Sequence, residues 1–195
     1  MFDIKNLLFS YPTTVIVVDD NKEYLESLLN GLREKKIKCI GFQCPKEALS
    51  YIFSNPNQYE FSQALKEVED DSPLPQTISH ICLDLSNLYK AAFKKSGNEI
   101  SVIVLDQQMP DISGDQFASV ITDGNIKKLM LTGQLNDQKA IELLNKDIID
   151  SYVEKKISNG INVVYEKIID LQNRYFLDLN KHLNKIINQK THILT

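Results

Sequence analysis

The sequence predicts an α/β protein built on one doubly wound parallel sheet with helices on both faces. Short β-branched runs alternate with amphipathic helical patterns, five such pairs follow one another, and polar residues come directly after several of the apolar runs. The 195 residues, of which 43% are hydrophobic and 25% charged, are enough for one domain with a full core and an appendage.

The first β/α pair begins with Thr14 to Val18, a β-branched run that is typical of a buried parallel strand. Asn21 can cap the helix that follows, whose apolar residues recur at helical spacing as Tyr24, Leu25, Leu28, Leu29 and Leu32. The second pair combines a strand from Ile37 to Phe42 with a helix that opens at Pro45. Proline is tolerated there because the first turn does not need its missing N–H.

An insertion of residues 54–99 precedes the third strand and is far longer than the usual connection in an α/β unit, so it must contain structure of its own. Apolar spacing predicts one short helix through Phe61, Leu65 and Val68. A second helix is predicted from the spacing of Ile81, Leu85, Leu88 and Ala92. The insertion is either a decoration that packs on the core or a lobe that binds a partner.

Three further β/α pairs complete the chain. Their predicted bounds are a strand Ile100 to Leu105 with a helix to about Ile121, a strand Lys128 to Leu131 with a helix Asp137 to Leu144, and a strand Ile148 to Val153 with a helix Asn159 to about Asn188. Five pairs favour the flavodoxin-like strand order 2-1-3-4-5. In that order the carboxyl ends of the strands meet at one edge, where a site is expected.

Composition excludes several classes of protein. A net charge of −4 gives no global reason to expect direct binding to nucleic acid or to an anionic membrane. Cys39, Cys44 and Cys82 fit neither a disulfide framework nor a zinc site, so reduced thiols in the cytoplasm are expected. The N-terminus lacks the features of a secretion signal, and no run approaches the roughly 20 apolar residues that span a bilayer. We expect a soluble cytoplasmic protein.

Polar side chains follow four of the five strands. Asp19 and Asp20 follow the first strand, Asp106 the third, Thr132 the fourth and Lys155 the fifth. Three carboxylates at one edge repel each other unless a cation neutralises them, and their oxygens suit Mg²⁺. Taken singly these residues also have ordinary interpretations, because aspartates after a strand often cap a helix and a Thr-Gly pair often forms a loop.

The same residues lie in four ordered motifs. These are Val-Val-Asp19-Asp20, Val-Leu-Asp106-Gln-Gln-Met109-Pro110 with Gly114, Leu-Thr132-Gly133, and Tyr152-Val-Glu-Lys155. Together they resemble the signature of response-regulator receiver domains, over residues 13–173 with the insertion excluded. A set of motifs in the right order is more specific than any one of them.

The resemblance implies a phosphorylation site with Mg²⁺. Asp106 matches the phosphoacceptor, and Asp20 and Asp106 match the direct Mg²⁺ ligands. Asp19 matches the acidic partner that acts through water, and the backbone carbonyl of Gln108 matches the remaining protein ligand. The implied phosphodonor is a histidine kinase or a phosphotransfer protein. The implied activity is limited to the phosphorylation and dephosphorylation of the protein itself.

The resemblance also implies a switch. Thr132 matches the hydroxyl that binds the phosphoryl group, Lys155 the ammonium that pairs with a phosphoryl oxygen, and Tyr152 the aromatic residue that rotates on activation. Receivers usually carry proline after the lysine, whereas Lys156 follows Lys155 here. Neighbouring side chains of an extended segment point to opposite sides, and the spacing from Tyr152 favours Lys155 over Lys156.

The tail is longer than a receiver needs, and we predict that residues 174–195 form a C-terminal helical extension or linker. Its apolar stripe, which begins in the fifth helix, consists of Ile161, Val164, Ile168, Leu171, Tyr175, Leu179, Leu183 and Ile186. Such a stripe must be buried. It can pair in a homodimer, lead to an output domain, or fold back on its own domain.

Two other functions compete with the phosphorylated switch. A receiver fold can serve as an interaction module without phosphorylation, although the complete set of site residues argues against this. A haloacid-dehalogenase-like phosphatase also uses a strand-end aspartate with Mg²⁺, but it carries a second aspartate two residues later, where this chain has Gln108.

Overall fold

A computed structural model of the chain describes residues 10–57, 65–69, 79–83, 87, 90, 97–133, 137–155 and 160–192. The strands are β1 (Thr14–Val18), β2 (Cys39–Phe42), β3 (Leu65–Glu69), β4 (Ser79–Leu83), β5 (Ile100–Asp106), β6 (Lys127–Thr132) and β7 (Ser151–Glu154). The helices are α1 (Lys22–Glu34), α2 (Pro45–Ser54), α3 (Gly114–Val120), α4 (Asp137–Asn145) and α5 (Gly160–His192).

Five of the strands form one parallel sheet in the order β2-β1-β5-β6-β7. Counted along the chain within this sheet, that is the order 2-1-3-4-5, so the predicted fold class is confirmed. The register pairs Val15 with Cys39, Val18 with Leu105, Asp106 with Leu131, and Thr132 with Glu154.

Each face of the sheet carries its own hydrophobic core, because successive strand residues point to opposite faces. The first core packs alternate strand residues such as Val15 and Val17 against α1 and α5. The second core packs their neighbours, such as Ile16 and Val18, against α2, α3 and α4. All five residues of β1 are buried, which explains why its sequence is an unbroken apolar run after Thr14.

β7 corresponds to the fifth strand that the sequence predicts, and it begins later than predicted. The sequence predicts a strand from Ile148 to Val153, whereas β7 begins at Ser151. Ile148 and Ile149 instead donate their backbone N–H groups to the carbonyl of Leu143, at 3.0 and 3.5 Å, and so close the end of α4. Ile149 is nevertheless buried in the second core, which accounts for its apolar character.

The chain divides into two compact units. The sheet unit comprises Pro12–Asn57 and Gly97–Tyr175, and the hairpin unit comprises residues 1–11, 58–96 and 176–195. The sheet unit contains the parallel sheet, both cores and every predicted site residue.

Polar contacts at the start of β5 hold the part of α5 that lies in the sheet unit. Gln172 donates from Nε2 to the hydroxyl of Thr13 at 3.0 Å, and that hydroxyl lies 2.6 Å from the hydroxyl of Ser101. The phenol of Tyr175 donates to Glu99 Oε2 at 3.0 Å, with both residues buried. Buried polar groups need such partners, so these hydrogen bonds fix the position of α5 along the sheet.

The points where the chain leaves and re-enters the sheet unit are joined by hydrogen bonds. The Asn57 side chain accepts from the backbone N–H of Ile100 at 2.9 Å and donates to the carbonyl of the same residue at 2.8 Å. The N–H of Gly97 donates to the carbonyl of Pro12 at 2.6 Å. One end of the insertion is therefore held at the first residue of β5, and the other is held at the segment that precedes β1.

In the hairpin unit, β3 and β4 pair antiparallel, with Leu65 opposite Leu83 and Glu69 opposite Ser79. The helix predicted through Leu65 and Val68 is therefore wrong, as is the helical assignment of Ile81. Strand propensity depends on pairing with a neighbour, and this outweighed the helical spacing. Asn87 and Lys90 do have helical conformation. Phe61, Leu85, Leu88 and Ala92 lie outside the described residues.

The predicted apolar stripe of α5 is buried within a single chain from Val164 to Leu179, and Ile161 at its start is partly buried. Val164, Ile168, Leu171, Tyr175 and Leu179 are each no more than 1% exposed. In the hairpin unit the ring of Phe176 contacts that of Tyr11 edge to face, at 5.1 Å between centroids. This burial removes the main reason to predict a dimer from the stripe up to Leu179, while Leu183 and Ile186 lie outside the described side chains. Among the described helices, none is long and apolar enough to cross a membrane.

Candidate functional site

The predicted site residues converge on the carboxyl edge of the sheet. Asp19 follows β1 directly, Asp106 is the last residue of β5, Thr132 is the last of β6, and Lys155 follows β7. Two backbone bonds continue the ladder at this edge, from the N–H of Asp19 to the Phe42 carbonyl at 3.1 Å and from the N–H of Lys155 to the Thr132 carbonyl at 2.8 Å. The side chains are thus positioned by the strands themselves.

Lys155 joins two of the carboxylates. Its Nζ lies 2.7 Å from Asp19 Oδ2 and 2.9 Å from Asp106 Oδ2. The Asp19 side chain is 0% exposed, that of Asp106 8% and that of Lys155 18%, so water screens these pairs weakly. Among the described residues, Asp19 Oδ2 has no hydrogen-bond donor other than this ammonium. These contacts place Lys155 beside Asp19 and Asp106, while Lys156 lies outside the described residues, so the choice between the two lysines stays a prediction.

The start of α1 fixes Asp19 and adds a contact that the sequence did not predict. Asn21 donates its backbone N–H to Asp19 Oδ1 at 3.0 Å, and its side chain accepts from the N–H of Tyr24 at 3.0 Å, which caps the helix. The Nζ of Lys155 lies over the ring of Tyr24, 4.7 Å from the centroid. Helical spacing identified Tyr24 only as an apolar position of α1.

Burial and nearby charges shift the pKa values of Asp19 and Lys155. Burial raises the pKa of Asp19, and the contacts with Lys155 offset this only in part. Burial also acts to lower the pKa of Lys155, but its hydrogen bonds to Asp106 and Asp19 and their charges outweigh this and raise that pKa. The lysine therefore carries its positive charge at neutral pH, whereas burial opposes the ionisation of Asp19.

Asp19, Asp20 and Asp106 fit a divalent cation. One carboxylate oxygen of each lies within 4.8 Å of the others, and Asp20 is exposed while the other two are buried. Hard oxygen ligands with access to water are what Mg²⁺ prefers. Gln108 lies on the exposed loop two residues after Asp106, and the role of its carbonyl stays a prediction.

The loop after Asp106 folds tightly against β5 and β6. Gln107 donates its N–H to the carbonyl of Leu131 at 2.9 Å and accepts from the N–H of Gly114 at 3.0 Å. A Cβ atom on Gly114 would lie 2.3 Å from the carbonyl oxygen of Asp106 and 2.8 Å from the sulfur of Met130. The glycine of this motif is therefore required by close approach to the candidate phosphoacceptor.

Thr132 and Tyr152 line one small cavity, together with Gln107, Ala140 and Leu143. The hydroxyl of Thr132 is buried and has no hydrogen-bond partner among the described residues. A buried hydroxyl without a hydrogen-bond partner destabilises the fold. A buried polar group that is left unsatisfied is therefore a candidate for binding a ligand. Tyr152 is half-buried and packs against the second core.

Comparisons with known proteins agree with this geometry at the level of the fold. No protein-family model and no curated protein matches the chain. Among solved structures, the Legionella pneumophila response regulator LqsR has a TM-score of 0.70 at 24% identity over 95% of this chain and 52% of its own. The receiver domain of the Francisella response regulator 1452 has a TM-score of 0.54 at 20% identity, covering 83% of this chain and 97% of its own.

A CheY-like response regulator receiver domain protein from Methanospirillum hungatei has a TM-score of 0.54 at 15% identity, covering 86% of this chain and 98% of its own. The chain thus spans about half the length of LqsR but nearly all of the isolated receiver domains. These three solved structures are response regulators or receiver domains of response regulators, and the chain shares the receiver-domain fold.

Proposed function

We propose that the protein is a phosphorylation-dependent signalling switch, in which Asp106 accepts a phosphoryl group from a phosphohistidine of a histidine kinase or phosphotransfer protein. One observation carries the proposal. The ammonium of Lys155 bridges Asp19 and Asp106 at 2.7 and 2.9 Å, beside a buried Thr132 hydroxyl that has no partner among the described residues. Phosphoryl transfer to a carboxylate needs a carboxylate that attacks phosphorus, a positive charge beside it, and a free hydrogen-bond donor for the phosphoryl oxygens. Asp106, Lys155 and the Thr132 hydroxyl would supply these three groups.

The transfer step is a displacement at phosphorus. A carboxylate oxygen of Asp106 forms the new P–O bond while the P–N bond of the donor breaks, and its electron pair stays on the imidazole nitrogen. Lys155 offsets negative charge on the equatorial phosphoryl oxygens. A Mg²⁺ ion held by Asp19, Asp20, Asp106 and the Gln108 carbonyl would supply the further positive charge that lets an anionic donor approach three carboxylates.

The acyl phosphate then redistributes the local contacts. In the proposed active state Lys155 pairs with a phosphoryl oxygen and Thr132 donates its hydroxyl to another. Movement of Thr132 changes the cavity that it shares with Tyr152, so the tyrosine takes a new position. The surface formed by α4, β7 and α5 is the proposed readout, since Tyr152 lies on β7 and Thr132 directly precedes the loop to α4.

The competing functions have less support. An interaction module without phosphorylation has no need for a buried lysine between two carboxylates or for a buried hydroxyl without a partner. A phosphatase of the haloacid-dehalogenase type lacks its second aspartate at Gln108. We therefore propose no activity on other substrates, only the protein's own phosphorylation and dephosphorylation. A cytoplasmic location belongs to the same proposal.

The test is phosphorylation by a small donor. Acetyl phosphate with Mg²⁺ should add one phosphoryl group to the full chain in an intact-mass measurement, and EDTA should prevent it. Asp106→Asn should abolish the mass gain. Asp111→Asn is the matched control, because Asp111 is an exposed aspartate on the same loop, and its ion pair with Lys46, at 2.9 Å, lies on the surface.

Three results would contradict the proposal. These are equal labelling of Asp106→Asn and the wild type, labelling that persists in EDTA, and loss of labelling in Asp111→Asn.

A further inference from the structure

The ring of Tyr24 is a fixed surface beside the reactive ammonium. Tyr24 lies in the first turn of α1, where its N–H is bound by the Asn21 side chain, and it packs against the first core. The Nζ of Lys155 lies 4.7 Å from the ring centroid. This is within the distance at which the face of an aromatic ring attracts a cation, and partial burial of both residues strengthens that attraction.

Among the described residues, the Lys155 ammonium has partners of two kinds, two carboxylates and one aromatic ring. Asp19 and Asp106 are carboxylates at 2.7 and 2.9 Å, and they are the same groups that would hold a divalent cation and carry the phosphoryl group. Once these carboxylates engage a cation, their attraction for the ammonium falls. The ring of Tyr24 carries no ionised group at neutral pH, because burial raises the pKa of its phenol. Neither the cation nor the phosphoryl group competes for its face.

We propose that Tyr24 is a positioning residue for phosphoryl transfer. Its ring holds the Lys155 ammonium over the site while Asp19 and Asp106 release the ammonium and engage the cation and the phosphoryl group. The inference rests on the proposed function, since it assigns a task within the same site. A flexible lysine that lost both carboxylates would otherwise sample several rotamers and lose the orientation that lowers the barrier.

The structure supplies a matched control. Lys35 lies over the ring of Tyr165, also at 4.7 Å, in the same sheet unit. Tyr165 likewise packs against the first core. Replacing Tyr165 by leucine removes the same kind of contact at the same distance without touching the site residues. Any general effect of exchanging a half-buried tyrosine for leucine appears in this variant as well.

The first experiment measures the rate of phosphorylation by acetyl phosphate with saturating Mg²⁺. Tyr24→Leu should lower the maximal rate by about tenfold, within the range expected for a partly desolvated cation and ring. Tyr24→Phe, which retains the ring, should recover most of the rate, and Tyr165→Leu should match the wild type. In a Lys155→Met background, Tyr24→Leu should have no further effect, because the two residues act as one unit.

The second experiment does not depend on turnover. The ring current of Tyr24 should shift the Cε protons of Lys155 upfield in NMR spectra of the metal-free chain, and Tyr24→Leu should abolish the shift. Adding Mg²⁺ should leave the upfield shift in place. If Mg²⁺ removes it, or if Tyr24→Leu is phosphorylated as fast as the wild type, Tyr24 does not position the lysine. Failure of the wild type itself to accept phosphate would instead overturn the proposed function, so the two failures are distinguishable.

Discussion

Replacing Lys155 by methionine tests the electrostatics of the site before any chemistry occurs. The substitution keeps an unbranched, flexible side chain that is one atom shorter, but it removes the only charge that the described residues place between Asp19 and Asp106. Breaking a buried ion pair by removing one partner costs about 3–5 kcal/mol. Because Lys155 is 18% exposed and the site opens towards the exposed Asp20, we expect the lower part of this range or less.

Protonation limits the cost at each of the two carboxylates. An aspartate left without its partner can take up a proton, which at pH 7 costs about 4 kcal/mol for an ordinary carboxyl group and less for one whose pKa is already raised. Burial raises the pKa of Asp19, so the limit lies lower there. We therefore expect Lys155→Met to destabilise the metal-free protein by about 2–3 kcal/mol. This corresponds to a fall in Tm of about 5–10 °C for a chain of this size.

Thermal unfolding with and without MgCl₂ measures the effect. Because a divalent cation neutralises the same carboxylates, Mg²⁺ should restore most of the lost stability and should stabilise the variant more than the wild type. Lys139→Met is the control, since its ion pair with Asp115, at 3.1 Å, is more exposed and is expected to contribute about 1 kcal/mol or less. Equal losses in the two variants, or a larger Mg²⁺ effect on the wild type, would refute this account of the site.

Two further predictions follow from the described contacts, and a third measurement tests the homodimer that the sequence left open. Gly114→Ala should cost about 2 kcal/mol or more through the clash of its Cβ with the Asp106 carbonyl and should reduce labelling by acetyl phosphate, whereas Gly124→Ala, with no atom within 4 Å of the new Cβ, should be close to neutral. Tyr175→Phe should lower the free energy of unfolding by about 1–2 kcal/mol, because it removes the buried hydrogen bond to Glu99, and denaturant unfolding measures this. A homodimer through α5 would double the mass in light scattering of the full chain, and a single mass with and without beryllium fluoride and Mg²⁺ would contradict it.

The sequence predicted the sheet and the site because both depend on local patterns. A buried parallel strand needs a continuous apolar run, and the polar residue after each run lies at the carboxyl edge whatever the loops do. That reasoning predicted that Asp19, Asp106, Thr132 and Lys155 lie together at one edge of the sheet. It did not predict β3 and β4, whose strand structure depends on pairing with each other. It also missed the contact of Tyr24 with Lys155, because no local pattern relates residues of α1 to residues after β7.

The fastening of Asn57 to Ile100 bears on how such a chain could have acquired its extra segment. The amide of Asn57 imitates a backbone peptide, satisfying both polar groups of one residue at the start of β5. Whatever length of chain lies between Asn57 and Gly97, the sheet meets the same two neighbouring ends. Closing a longer loop between fixed ends costs only about 0.6 kcal/mol for each doubling of its length. A segment between Asn57 and Gly97 can therefore be exchanged, lengthened or deleted in evolution without disturbing the carboxyl edge of the sheet, where the candidate site lies.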